Sequence, residues 1–252
     1  MKKFGLIGYP LSHSFSKKYF TEKFRNENMH DCVYENFSLS DIALISSVLA
    51  NEPWLEGLNV TIPYKQQIIP FLYFKNEVVE KINACNCIKI VDGKLLGYNT
   101  DVTGFEISLK RKLQDHHKHA LILGTGGAAK AVQFVMSKLG IDYKLISRKP
   151  STADTINYND LTDAIIQSHT LIINTAPVGM YPNLAACPDI PYSAITENHY
   201  LFDLIYNPEK TMFLQKGEER GAIIQNGHEM LVIQAEESWR IWNENWVEEL
   251  TG

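Results

Sequence analysis

Short apolar runs recur along the chain and alternate with amphipathic stretches. Phe4 to Ile7, Cys32 to Phe37 and Gly57 to Thr61 read as strands, the second by its alternation of apolar and polar positions. Phe15, Tyr19, Phe20 and Phe24 recur near the 3.6-residue period, which predicts a helix from Ser14 to Asn28. Ser40-Asp41 caps a second helix reaching about Leu49, and Pro63 opens a helical stretch through Leu72. Asn86 to Val91 and Lys94 to Tyr98 flank Asp92-Gly93, the strongest short hairpin signal. The first hundred residues therefore mix parallel crossovers with one antiparallel ribbon.

Asn99-Thr100-Asp101 is placed to cap a helix over Val102 to Leu113. Gln114 to His119 carries three histidines crowded together without a carboxylate at ligand spacing, and it reads as a solvated linker. Beyond it, Leu121 to Leu123, Tyr143 to Ser147, Leu171 to Asn174, Tyr200 to Ile205 and Ala222 to Gln225 are apolar strand candidates. Helical segments separate them at Gly124 to Leu139, around Asp163 to Gln167 and at Glu209 to Arg220. Strands and helices in this alternation predict a parallel, doubly wound sheet. A last helix, Glu229 to about Glu248, carries Trp239, Trp242 and Trp246 as a core-facing stripe.

Composition narrows the function classes. The 252 residues are 45% hydrophobic and 21% charged, in the globular range. With 24 basic against 29 acidic residues the formal charge is -5, which disfavours nucleic acid and anionic lipid as partners. No apolar run approaches the roughly 20 residues that span a bilayer. The polar Ser12-His13-Ser14 ends the first apolar stretch too early for a secretory signal, so a cytoplasmic protein is expected. Cys32, Cys85, Cys87 and Cys187 show neither disulfide density nor zinc spacing, and read as reduced thiols.

Gly124-Thr125-Gly126-Gly127-Ala128-Ala129 fits G-x-G-x-x-G/A between a buried strand and a helix. There Gly124 permits the tight turn, Gly126 lets a pyrophosphate approach the backbone, and Ala129 lets the helix pack on the sheet. N–H groups at the helix start then bind the anion. An NAD site sets a carboxylate at the end of the next strand, whereas this chain has Ser147-Arg148-Lys149, whose cations suit a 2′-phosphate. The expected cofactor is NADP.

Three further segments have the chemistry of a site: Ser14-Phe15-Ser16, Asn59-Val60-Thr61-Ile62-Pro63-Tyr64-Lys65, and Asn99-Thr100-Asp101. Alone, each has a plainer use. The serines can cap a helix, Lys65 can be a surface lysine, Asp101 an N-cap, and Thr61 and Asn86 can satisfy backbone groups. Together with Asn86, the Gly124 loop, Asn174 through Gly179-Met180, Phe202-Asp203-x-x-Tyr206 and Gly227-x-x-Met230-Leu231-x-x-Gln234, their order and spacing resemble the shikimate dehydrogenase family over nearly the whole chain.

The resemblance implies an α/β fold of two domains with a cleft between them. Residues 1–101 with 227–252 would form a substrate-binding domain with a mixed sheet, and 102–226 a Rossmann-type dinucleotide-binding domain. It implies reversible NADPH-dependent reduction of 3-dehydroshikimate to shikimate, a step towards chorismate and the aromatic amino acids. Lys65 is implied as the proton-transfer residue and Asp101 as its carboxylate partner. Ser14 and Ser16 would hold the substrate carboxylate, with Thr61, Asn86, Tyr206 and Gln234 lining the rest. Gly124, Thr125, Gly126, Gly127, Ala128, Ser147, Arg148 and Lys149 would hold the dinucleotide, with Leu204 and Gly227 beside the nicotinamide. No metal is implied, and the expected state is monomer or homodimer. The alternatives are a quinate/shikimate dehydrogenase that tolerates NAD and a non-catalytic dinucleotide sensor. Departures from the family pattern include Val102 after Asn-Thr-Asp, Cys87 beside Asn86, where it would remove a hydroxyl near the substrate, and Asn226 where Asp is frequent.

Overall fold

The computed structural model describes residues 1–11, 15–149 and 155–245, and the chain divides into two compact units. The first comprises Met1–Thr100 with the chain from Ala235 onward, and the second Asp101–Gln234.

In the first unit the order is β1 (Lys2–Gly8), α1 (Phe15–Asn26), β2 (Cys32–Ser38), α2 (Ile45–Asn51), β3 (Leu55–Val60), α3 (Tyr64–Gln67), β4 (Phe74–Lys75), α4 (Glu77–Ile82), β5 (Cys87–Val91) and β6 (Lys94–Tyr98). Its six strands lie in the order β2-β1-β3-β5-β6-β4. β1 pairs in parallel with β2 and β3, while β5 is antiparallel to both β3 and β6. The mixed sheet thus follows the expected pattern. Asp92 and Gly93 take φ of +50° and +74°, the pair of left-handed conformations a two-residue hairpin turn requires.

Several elements depart from the sequence reading. The helix expected through Leu72 stops at Gln67 and gives way to a 3₁₀ turn, Ile69–Phe71, because Pro70 has no N–H to continue the ladder. α4 and β4 have no counterpart in the sequence reading, since six and two residues are too short to show a period. Asn76 caps α4 by accepting from the Val79 N–H at 3.0 Å.

In the second unit α5 (Thr100–Lys110) leads from the first unit to β7 (His119–Leu123), α6 (Gly127–Leu139), β8 (Asp142–Ser147), β9 (Thr155–Asn157), α7 (Asp163–Ser168), β10 (Leu171–Asn174), β11 (Tyr200–Asp203), α8 (Met212–Glu218), β12 (Ile223–Gln225) and α9 (His228–Asn243). The sheet order is β12-β11-β10-β7-β8-β9 and every pairing is parallel. Numbered within the sheet this is the reverse-point order of the dinucleotide-binding fold, whose switch falls between β7 and β10. Val102 lies inside α5 and is buried, so the departure after Asn-Thr-Asp is a helix position and not a turn.

The histidine-rich segment is not simply solvated. His117 is 1% exposed, its Nδ1 accepts from the Gln114 N–H at 2.9 Å, and its Nε2 lies 3.2 Å from the Asn198 carbonyl. His119 begins β7. Among the described residues no group of three or more His, Cys, Asp or Glu is arranged to hold a metal.

From Ala235 onward α9 belongs to the first unit. Trp242 is buried with Phe4, Phe20, Phe24 and Tyr34, and its indole N–H donates to the Ile88 carbonyl at 2.9 Å. A side chain at Gly57 would collide with that indole, so a glycine in β3 admits the tryptophan. The helix ends earlier than the sequence reading, at Asn243, where the buried Lys89 ammonium binds the Ile241 and Glu244 carbonyls that a helix end leaves open. Trp246 lies outside the described residues, as does Glu248.

Candidate active site

In the first unit the site residues gather where the parallel strands end. Thr61 follows β3, its N–H donating to the Ile7 carbonyl at 2.9 Å, and its methyl group packs against Gly8, where any side chain would displace it. The Tyr9 N–H donates to the Ile62 carbonyl at 3.1 Å, tying the loops after β1 and β3 together. Lys65 stands in α3 and is half-buried; its backbone carbonyl accepts from the Cys85 N–H at 2.7 Å, which brings it to the segment preceding Asn86. Ser16, in the first turn of α1, is hydrogen-bonded to the buried Tyr34 hydroxyl. Ser14 lies outside the described residues.

Asn86 is buried in a polar network that sequence reasoning only touches. Its Oδ1 accepts from the Thr100 N–H at 2.6 Å, and its Nδ2 donates to Thr100 Oγ1 at 3.0 Å. Asn59 joins through Ser238 of α9: Asn59 Nδ2 donates to Ser238 Oγ at 2.9 Å and to the Asn86 carbonyl at 3.3 Å, while its Oδ1 accepts from Tyr34 at 2.8 Å. Tyr34 and Ser238 have no signal in the sequence beyond being polar; Thr100 stands in the Asn99-Thr100-Asp101 segment, and Asn59 is an amide inside an apolar strand, where burial demands partners. Cys87, next to Asn86, is a core residue. Its thiol is buried with Phe4, Phe20 and Trp242, against Ser238, and burial pushes its pKa up.

In the second unit the glycine loop follows β7. Gly124 has φ +114°, a conformation suited to glycine, and a side chain there would meet Thr175 Oγ1 at 2.7 Å. Gly126 and Gly127 are exposed, and a side chain at either would meet nothing within 4 Å. α6 begins with Gly126 at its cap position and no side chain bonded there. An open, unfilled helix start has the room and the N–H groups that a pyrophosphate needs, so the segment Gly124 to Ala128 fits a dinucleotide. Ala129 is fully buried, as close helix–sheet packing requires. Ser147 ends β8 and accepts from the Lys149 N–H at 3.2 Å, while Arg148 and Lys149 are exposed.

Leu204 and Gly227 come together, since a side chain at Gly227 would run into the Leu204 backbone, and the Gly227 N–H donates to the Ile205 carbonyl at 3.0 Å. Asp203 pins this region. Its carboxylate accepts from Asn174 Nδ2 at 2.9 Å, the Ile205 N–H at 3.0 Å and Thr211 Oγ1 at 2.6 Å. Burial pushes its pKa up to about 6 although all three donors pull it down. Asn226 donates to the Glu209 carbonyl at 2.8 Å and accepts from the His228 N–H at 3.1 Å, a donation that an aspartate could not make. Tyr206 is exposed after β11, and Gln234 is buried in α9, packed on Gly104 of α5. Asp101 is half-buried in the first turn of α5.

Residues 6–88 match the family model for the shikimate dehydrogenase substrate binding domain. Over 250 residues the chain is 36% identical to the shikimate dehydrogenase (NADP(+)) of Staphylococcus aureus strain Newman, a match covering 95% of this chain and 92% of that protein. This chain belongs to the shikimate dehydrogenase family. Among solved structures it is similar to shikimate dehydrogenase 1 of Peptoclostridium difficile, at 37% identity and a TM-score of 0.83, covering 99% of this chain and 94% of that one. It is also similar to the shikimate 5-dehydrogenase of Thermus thermophilus solved in complex with NADP(H) and shikimate, at 27% identity and a TM-score of 0.85, covering 96% and 94%. The two-unit architecture, one mixed sheet and one parallel sheet, is that of the family. Among the described residues no helix is long and apolar enough to cross a membrane.

Proposed function

We propose that this protein interconverts shikimate and 3-dehydroshikimate with NADP as the redox partner, in the cytoplasm, as a monomer or homodimer. What carries the reading is the likeness, over 95% of this chain at 36% identity, to a shikimate dehydrogenase (NADP(+)). Bound NADP supplies the chemistry of hydride acceptance, and NADPH that of its return. The chain's own residues handle the proton and the positioning. Lys65 takes the proton of the reacting hydroxyl during oxidation and gives it back during reduction, so that no full alkoxide has to form. Asp101 orients that amine and accepts from a neighbouring substrate hydroxyl. Ser14 and Ser16 donate to the substrate carboxylate. Thr61, Asn86, Tyr206 and Gln234 meet the remaining hydroxyls, and a site made of such partners rejects molecules that lack them. Gly124, Thr125, Gly126, Gly127 and Ala128 receive the pyrophosphate, Ser147, Arg148 and Lys149 the 2′-phosphate, and Leu204 and Gly227 flank the nicotinamide. Incubation with shikimate and NADP tests this: 3-dehydroshikimate and NADPH should appear in equal amounts, and the absence of either product would refute it.

A further inference from the structure

The amide of Asn86 is held in one orientation by groups that the catalytic reading does not use. A backbone N–H can only donate, so the Asn86 atom 2.6 Å from the Thr100 N–H is its oxygen. Nδ2 therefore faces Thr100 Oγ1 at 3.0 Å, and that hydroxyl accepts. With one lone pair so used, the Thr100 hydroxyl also lies 3.2 Å from Ser238 Oγ, a contact in which either hydroxyl can donate, and 3.3 Å from Asn86 Oδ1. Asn59 is fixed by the same logic. A backbone carbonyl can only accept, so the Asn59 atom 3.3 Å from the Asn86 carbonyl is Nδ2, which also donates to Ser238. Thr100 opens α5, and an N–H at a helix start has no partner within the helix; Asn86 supplies one from the neighbouring strand end. Asn59, Asn86, Thr100 and Ser238 are all buried, where leaving one amide or hydroxyl unmatched is costly.

We propose that Thr100, backed by Ser238, is a positioning residue that fixes the Asn86 amide so that its second N–H is presented to a substrate hydroxyl. This rests on the reading of Asn86 as a substrate contact. Each Nδ2 carries two hydrogens, and among the described residues Thr100 takes one of those on Asn86. Without the threonine hydroxyl, Nδ2 loses the partner that fixes its direction, and the Thr100 N–H bond to Oδ1 alone holds the amide.

Thr100→Val removes the hydroxyl while keeping the N–H and the shape. It should raise the KM for shikimate about fivefold to twentyfold, the scale of one buried hydrogen bond, with kcat and the KM for NADP close to the parent. Thr100→Ser should restore the parent KM. In an Asn86→Ala background Thr100→Val should change KM by less than about twofold, because the residue it acts through is gone. Should Thr100→Val not fold, Ser238→Ala is expected to raise the shikimate KM in the same direction. An unchanged KM with lowered thermal stability would overturn the proposal, as would equal effects in both backgrounds, or a loss confined to kcat, which would assign the effect to Asp101 instead. If the parent oxidises shikimate but Asn86→Ala leaves its KM unchanged, the proposal alone falls. If the parent does not oxidise shikimate with NADP, the functional reading falls and takes the proposal with it.

Discussion

On the proposed reading, the substrate residues of the first unit and the dinucleotide loop of the second would meet their ligands by opposite means. In the first, the candidate contacts are side chains, and behind them stands a buried set of amides and hydroxyls in which Asn59, Asn86, Thr100 and Ser238 satisfy one another. At the glycine loop of the second, the proposed contacts are mostly backbone, and what matters is that side chains are missing: Gly126 and Gly127 open onto empty space, and Gly227 lies too close to Leu204 for any other residue. A polyol with a carboxylate is distinguished by where its oxygens lie, which calls for oriented donors and acceptors. A pyrophosphate is a dense anion that a helix start and a bare backbone can receive. On that reading, specificity at the first unit's contacts would depend on buried polar order, and at the glycine loop on room.

The largest test of that division is Lys65→Ala. It should lower kcat by about 10² or more, the usual scale for a lost proton-transfer group, and leave the Kd for NADP within about twofold. Loss of NADP binding, measured by fluorescence titration, would instead make Lys65 a structural residue and blur the two roles.

Next in size is the pH dependence of the second unit's stability, where two buried groups act with opposite sign. Asp203 titrates near 6 in the folded protein against 3.8 ordinarily, so the unfolded chain loses its proton first and stability falls as pH rises from about 4 to 6. His117 is pushed down to about 4 by burial and by neighbouring histidines, so the unfolded chain takes up its proton first and stability is lost as pH falls from 6.5 to 4. Each amounts to about 3 kcal/mol over its window, on about 1.4 kcal/mol per pKa unit. Denaturant unfolding of Asp203→Asn and His117→Asn across the range from about pH 4 to 7 should each remove one slope relative to the parent. Parallel curves for a variant and the parent would contradict the assignment of that group.

A smaller effect is expected from Gly227→Ala. Its new methyl group meets the Leu204 backbone, and overpacking of this kind costs about 1–3 kcal/mol. The cost should appear in the KM for NADP and hardly in shikimate binding measured by calorimetry without cofactor. Equal losses in both would mean that the glycine serves the fold rather than the cofactor. Smallest is Arg148→Ala, which should reduce the preference for NADP over NAD by about tenfold, the value of one charge-assisted phosphate contact. An unchanged ratio would move selectivity to Lys149 or Ser147.

The same contrast explains what can be read from the sequence. The glycine loop is contiguous, and its surroundings of apolar strand and helix are written in consecutive residues, so the parallel sheet and its ligand end are legible. The network behind Asn86 draws on Tyr34, Asn59, Thr100 and Ser238, which only the fold brings together. Trp242 is legible as core, but its seat on Gly57 is not, because nothing local links a strand glycine to a tryptophan of the last helix. The errors have equally local causes: Pro70 cuts a helix that looks continuous, and His117, polar by type, finds partners for both ring nitrogens and is buried. Of the candidate site, the motif residues, Thr100 among them, are visible through the family resemblance, while Tyr34 and Ser238 have nothing of their own to mark them as its partners.

The most direct test is steady-state kinetics of the unaltered protein on shikimate and on quinate, each with NADP and with NAD. The highest kcat/KM should belong to shikimate with NADP. A higher value for quinate or for NAD, or no turnover with any pair, would contradict the account.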